Sequence, residues 1–339
     1  MRALVLERHG GPEAMQVKER ADPRPGQGEV QVRVRAAGVN FADIMARLGL
    51  YPDAPRPPCV LGYEVAGEVE GLGPGVGGVS LGARVLALTR FGGQAERVCV
   101  PQARVLPMPE GMGFEEGASL PVNYLTAYHA LFRVAGLRPS DRVLVHMAAG
   151  GVGLAALQLC RTVPGVVTFG TSSAAKHALL RAEGCAHPID YHRLDYAEEV
   201  RRLTSGKGVD LVLDPLGGRS WRKGYELLRP SGRLVAYGFA NLATGERRST
   251  LRALGELART PFFTPIGLMN DNRGVAGINL GHLWGEPELL SAELSALLDL
   301  FLRGAIRPRV DRVFRFEQAA EAHRYIQSRK NTGKVVLTP

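Results

Sequence analysis

Residues 143–160 constrain this chain more than any other stretch. An apolar run, Val143-Leu-Val145, meets His146-Met-Ala-Ala-Gly-Gly-Val-Gly153, and Leu154-Ala-Ala-Leu-Gln-Leu-Cys160 follows directly. The order reads as strand, glycine-rich turn, helix. A helix N-terminus carries unpaired N–H groups and partial positive charge, which suits a pyrophosphate. Gly150 and Gly153 let backbone and helix approach such a group closely, and Gly151 adds freedom at the turn. The spacing Ala148-x-Gly150-x-x-Gly153 puts alanine where the usual dinucleotide fingerprint has its first glycine. An ordinary tight βα turn satisfies the same residues, so the rest of the chain must decide.

From about residue 123 the pattern alternates. Strands are expected at 142–146, 166–170, 187–190, 209–213 and 233–238, with a last one at 274–279. Helices are expected between them at 151–162, 174–183, 196–204 and 220–228. Alternating βα units imply a doubly wound parallel sheet. Residues 1–120 differ: short β-like runs at 3–6, 29–36, 64–72, 84–88 and 97–100 are broken by Gly and Pro, as in Gly73-Pro-Gly-Val-Gly-Gly78. Repeated short strands suggest a barrel-like β domain. Helices at 289–303 and 316–329 and a strand at 334–337 close the chain. That piece is too small for a domain and is expected to fold back on the β domain. The expected division is 1–122 with 281–339, and 123–280.

Composition excludes some classes. Of 42 basic residues 36 are Arg, and the net charge is +9. This favours anionic partners such as phosphorylated cofactors or CoA esters, or is simply a solvated Arg-rich surface. No dense basic run with interleaved aromatics exists, so nucleic-acid binding has little support. Cys59, Cys99, Cys160 and Cys185 are far apart with no CxxC pair, which fits a reducing, cytoplasmic setting and no cysteine zinc lobe. The start, Met1-Arg-Ala-Leu-Val-Leu, reads as a strand and not as a signal peptide. No stretch reads as a membrane span, while peripheral membrane contact stays open.

Several motifs together resemble the medium-chain dehydrogenase/reductase superfamily. They are Gly38-Val-Asn40-Phe-Ala-Asp43, Arg47-x-Gly49-x-Tyr51, Gly62-Tyr-Glu64-Val-Ala-Gly67, Asn123-Tyr-Leu-Thr126-Ala127, the glycine turn and Lys330-Asn-Thr-Gly333-Lys334. Val167-Thr-Phe-Gly-Thr171, His187-Pro-Ile-Asp-Tyr191 and Asp214-Pro-Leu-Gly-Gly218 resemble the zinc-independent quinone oxidoreductase branch, and within it the vesicle amine transport protein homologues. The resemblance implies an α/β fold: a GroES-like β-barrel catalytic domain and a Rossmann domain. Zinc-dependent relatives carry Cys, His and Cys where this chain has Asn40, Tyr63 and Val122. A catalytic zinc needs about three His, Cys or carboxylate ligands, so no metal is expected. Hydride transfer to an already electrophilic acceptor remains: a quinone, an enone or a short 2-enoyl-CoA.

The resemblance also implies the site. Asn40, Asp43, Tyr51 and Tyr63 are expected around the reacting acceptor, although Asn40 and Asp43 equally suit turn residues and Tyr51 suits packing. Glu64 suits a structural ion pair. Asn40, Thr126, Gly238, Asn279 and Asn331 are expected along the cofactor with Ala149, Gly150, Gly151, Val152 and Gly153. Thr126 also reads as a helix cap, and Asn279 as a subunit contact. Thr171, Ser172, Lys176 and Tyr191 replace the acidic residue that binds ribose hydroxyls in NAD enzymes, which favours NADP(H) over NAD(H). Thr171 and Ser172 also read as caps of the next helix. Arg247, Arg248, Arg252 and Arg259 suit CoA phosphates or a solvated face. Residues 260–269 read as apolar and irregular, suited to an acyl pocket, a dimer interface or lipid. Dimers of the family extend central sheets across a two-fold axis, so a homodimer on strand 274–279 is expected. The competing reading is a membrane- or lipid-associated binding protein on a reductase fold, since fold does not fix function.

Overall fold

The strand Glu29–Val39 shows how the β-rich part is built. Val30, Val32 and Val34 are buried while Gln31, Arg33 and Arg35 reach outward, the alternation of a half-buried strand. It pairs antiparallel with Glu64–Leu72, Arg97–Pro101 and Lys334–Thr338 in a seven-stranded sheet. From Ala36 onward both faces are covered: Ala36 joins the core that holds Ala118 and Leu120, and Gly38 lies against the Ala118 carbonyl. The computed structural model describes residues 1–243 and 245–339, the side chains of Thr250 and Arg252 excepted. The Arg252 side chain named above therefore lies outside the described residues.

The second lobe centres on a six-stranded, all-parallel sheet: Arg142–Val145, Val167–Ser172, His187–Asp190, Val209–Asp214, Leu228–Ala236 and Gly274–Gly277. In chain order the strands lie 3-2-1-4-5-6. Val143, Leu144 and Val145 are fully buried, as strands covered by helices on both faces must be. Strand order reverses between the first and fourth strands, where ligands of such sheets bind. The glycine turn leaves the first strand at that crevice.

Some expectations need correction. The helix expected over 174–183 is a 3₁₀ turn, Ala174–Lys176, followed by the short helix His177–Ala182. Half of the segment expected to be irregular is the helix Pro265–Asp271, started by Thr264, whose hydroxyl accepts from the Gly267 N–H. The last central strand stops at Gly277, so Asn279 caps a following 3₁₀ turn, Leu280–His282. The C-terminal piece divides. Lys334–Thr338 joins the β sheet with Val310–Arg315 beside it. Helix Pro287–Leu302 instead packs Leu290, Leu294 and Leu297 into the core shared by helices Pro121–Tyr128 and Gly151–Arg161. Among the described residues no helix is long and apolar enough to cross a membrane.

Candidate active site

The glycine turn works with alanine at its first position because the left-handed residue is not there. Met147 takes the positive φ, 51°, and Ala148 keeps an ordinary backbone. Gly150 then caps the eleven-residue helix Gly151–Arg161. A Cβ on Gly153 would lie 2.5 Å from the Met147 carbonyl and 2.6 Å from Ala148 Cα, so only glycine lets the helix pack this closely. The first-turn N–H groups are left for an anion.

They open into a cavity of about 1270 Å³ that takes its walls from both lobes. Asn40, Tyr51, Tyr63, Thr126, Ala149 to Gly153, Thr171, Ser172, Lys176, Tyr191, Gly238, Asn279 and Asn331 all line it. Asp43 does not. Its carboxylate is fully buried and accepts from the N–H groups of Asn40 at 2.8 Å and Gly62 at 3.0 Å. Burial pushes this carboxyl up to about 7, against the pull of those donors and of Lys334. The catalytic placement of Asp43 is thus corrected: it fixes the start of helix Phe41–Arg47 and the backbone that leads into Tyr63.

At one end, two tyrosines meet. The Tyr63 ring stands edge-on to Tyr51, centroids 6.2 Å apart, and tilts against Phe91 at 5.1 Å. Its hydroxyl is buried with no hydrogen-bond partner among the described residues, and burial raises its pKa, so it stays a protonated donor. Native structures rarely leave such a group unpaired. The Tyr51 hydroxyl donates to Asn279 Oδ1 at 3.0 Å, and that oxygen also accepts from the Gly281 N–H at 2.9 Å. Asn279 therefore ties the lobes together within one chain.

Asn40 is held by a buried ion pair that sequence reading only half saw. Lys334 Nζ contacts Glu64 Oε1 at 2.5 Å and Asn40 Oδ1 at 2.6 Å. Asn40 Nδ2 donates to Glu64 at 2.9 Å, and the Val122 N–H donates to the other Glu64 oxygen at 2.7 Å. The cluster sits in space left by Gly38, where a Cβ would come within 2.5 Å of Glu64 Oε1 and 2.7 Å of Lys334 Cε. The structural role read for Glu64 thus has a partner 270 residues away.

At the other end, Thr171 shares a hydrogen bond with His146 Nδ1 at 3.1 Å and accepts from the Met147 N–H at 3.3 Å, so it does not cap a helix. Ser172 Oγ donates to the Ser173 carbonyl, and Ser173 occupies the N-cap position. Lys176 Nζ donates to the carbonyls of Arg329 at 2.7 Å and Asn331 at 2.8 Å, which leaves one N–H free. Burial lowers its pKa. Arg329, also on the cavity wall, adds a cation there that sequence reading missed. Thr126 sits inside its helix with its hydroxyl on the Val122 carbonyl at 2.6 Å, not at a cap. His129, Tyr196, Trp221 and Lys334 also line the cavity; the partners of His129 and Lys334 lie 164 and 270 positions away, so spacing gave no signal for those two. Among the described residues no group of three or more His, Cys, Asp or Glu is placed to hold a metal ion.

This geometry can be set beside known proteins. Residues 26–110 match the alcohol dehydrogenase GroES-like domain family, and residues 184–337 the zinc-binding dehydrogenase family. The chain is 50% identical to the rat synaptic vesicle membrane protein VAT-1 homolog over 342 residues, covering all of this chain and 84% of that protein. It belongs to the medium-chain dehydrogenase/reductase superfamily. Two solved members share its architecture along essentially their whole length. The Escherichia coli quinone oxidoreductase in complex with NADPH is 28% identical with a TM-score of 0.87, each chain covered completely. The CurK enoyl reductase is also 28% identical with a TM-score of 0.87, covering 99% of this chain and 98% of that one. Within this superfamily the fold is that of an oxidoreductase: a GroES-like domain joined to a parallel-sheet Rossmann-like domain.

Proposed function

We propose that this chain is a zinc-independent, NADPH-dependent reductase of activated acceptors: quinones, enones or short enoyl thioesters. One observation carries the reading. A single cavity joins a phosphate-type glycine turn at one end to a buried, unpartnered tyrosine hydroxyl at the other. The residues fit the cofactor class. Helix N-terminus Gly151–Arg161 would take the pyrophosphate, and Thr126 and Asn40 would lie along the nicotinamide. A bound reduced nicotinamide supplies a hydride. The protein's part is to orient and to hold charge. Tyr63 presents its ring to the cavity, and its protonated, unpartnered hydroxyl becomes a donor to an acceptor oxygen when the ring turns toward the negative charge that develops there. Asn40 cannot drift, because Glu64 and Lys334 hold both ends of its amide. The aliphatic and aromatic walls, including Leu88, Ile278, Leu283 and Trp284, keep water from the acceptor.

Zinc independence rests on residues already bonded elsewhere: Asn40 belongs to the Glu64–Lys334 cluster, and Tyr63 has no donor atom suited to zinc at neutral pH. The test is anaerobic oxidation of NADPH against quinones, enones and enoyl-CoAs, with a chelator present. Turnover of at least one class is expected. Activity restored only by added zinc would overturn the metal-free reading.

Ser172, Lys176, Tyr191 and Arg329 surround the place where a 2′-phosphate would sit, with no carboxylate among them. Lys176→Ala is expected to weaken NADPH by about 1–3 kcal/mol while leaving NADH unchanged. Fluorescence titration with both nucleotides checks this; equal losses would remove Lys176 from phosphate recognition.

We also propose that the chain forms homodimers. Among the described residues strand Gly274–Gly277 pairs only with Leu228–Ala236, so its other edge is open there, and open edges invite pairing. Exposed Leu254, Leu257, Phe262, Ile266 and Met269 lie in the preceding segment. Light scattering should report twice the chain mass at micromolar concentration, and a monomer would refute the assignment. These apolar side chains also support a second reading: contact with a membrane surface, as the rat relative's name, synaptic vesicle membrane protein VAT-1 homolog, suggests. Co-sedimentation with anionic vesicles is the measurement that decides it.

A further inference from the structure

Reduction of an activated double bond consumes a proton as well as a hydride, and nothing above supplies it. His129 fits. It lies three residues beyond Thr126, on the same helical face, and the two line the cavity with Val122. Its Nδ1 is 3.0 Å and 3.2 Å from the two carboxylate oxygens of Glu293, which helix Pro287–Leu302 brings in from 164 positions away. Both side chains are buried. A carboxylate at Nδ1 fixes the ring so that Nδ1 carries hydrogen and Nε2 is the working atom, and it provides the counter-charge when the ring is protonated.

The contrast with the other buried histidines is informative. His146 and His323 each have Nε2 sealed from solvent and unpaired among the described residues. His129 Nε2 is not among those sealed atoms, and no described protein group bonds to it. The residue lies on the cavity wall. Glu293 is the carboxylate at its Nδ1, and Arg104 stacks over the ring of Trp284, which also lines the cavity.

We propose that His129, oriented by Glu293, is the acid that protonates the acceptor, and that the acceptor is an α,β-unsaturated carbonyl compound. This rests on the reductase reading above. Hydride adds to the β-carbon, and the C=C electron pair moves to give an enolate whose oxygen faces Tyr63. The α-carbon then takes the proton of Nε2–H. The imidazolium becomes neutral imidazole, with Nδ1–H still on Glu293, and a solvent proton restores it.

The first measurement needs neither cofactor nor turnover. Brief treatment of the nucleotide-free chain with diethyl pyrocarbonate, followed by peptide mapping, should modify His129 and spare His146 and His323. An unmodified His129 in the folded chain would overturn the proposal. The second uses an enone that the wild-type chain reduces. His129→Gln should lower kcat on the order of 10²-fold with KM nearly unchanged, and should flatten the pH profile of kcat. Glu293→Gln should act in the same direction but less, and it serves if His129→Gln does not fold. Wild-type activity that survives both substitutions with an unaltered pH profile sinks this proposal alone. A wild-type chain inert toward every acceptor sinks the reductase reading, and this proposal with it.

Discussion

Lys334→Met is expected to destabilise the chain by about 3–5 kcal/mol, because it leaves the Glu64 carboxylate buried without its counter-charge. Lys334 and Glu64 are 3% and 0% exposed, so water cannot replace the lost partner. Two donors remain, Asn40 Nδ2 and the Val122 N–H, and they moderate the penalty without neutralising the charge. The double variant Lys334→Met/Glu64→Gln removes both charges and should recover much of the loss, since replacing a buried pair costs less than breaking one. Urea denaturation of the four chains forms the cycle that isolates the pair. If the single variant loses under 1 kcal/mol, or the second substitution recovers nothing, the pair is not what holds Asn40.

The second large effect concerns what enters the cavity. Tyr63→Ala should raise relative kcat/KM for bulky enones over small ones by about tenfold or more, the scale of a few methylenes in an apolar pocket. Nucleotide affinity should be unchanged, since the glycine turn and Lys176 lie on other elements. Tyr63→Phe separates shape from chemistry. It removes only the unpartnered hydroxyl, so a loss of about 10²-fold in kcat with the same acceptor range would assign that hydroxyl to the developing oxyanion. Because the hydroxyl bonds nothing in the protein, Tyr63→Phe should also leave thermal stability intact or raise it slightly. Unaltered rate and selectivity in both variants would make Tyr63 a packing residue.

Much of this was legible in the chain. The strand–turn–helix at 142–161 and the change from short strands to βα units follow from local patterning, and strands such as Glu64–Leu72 and Arg84–Leu88 begin and end where the short β-like runs do. The cavity wall was legible residue by residue through the family motifs, because those motifs sit at the strand ends and turns that face the crevice. What could not be read were partnerships across the fold. Asp43 looks like its cleft-lining neighbours, yet a helical residue three places after the cap turns back to the cap's own N–H, and this one leaves the cleft. Lys334 with Glu64, and Glu293 with His129, are set by tertiary packing between segments more than 160 residues apart. The helix Pro265–Asp271 was hidden by proline at its first position and aromatics before it, features that mimic a loop.

The C-terminal segment changes how this fold can be taken apart. The Ala149 carbonyl in the glycine turn accepts from the Gly333 N–H at 2.9 Å, and Lys176 bonds the carbonyls of Arg329 and Asn331. The floor of the nucleotide half is thus contributed by the same C-terminal segment that completes the β sheet of the other half. A chimera that transplants only the central lobe into a relative would inherit a foreign floor under its own glycine turn. Modular exchange in this chain must therefore carry residues 329–339 with the nucleotide lobe, even though they belong by hydrogen bonding to the sheet of its neighbour.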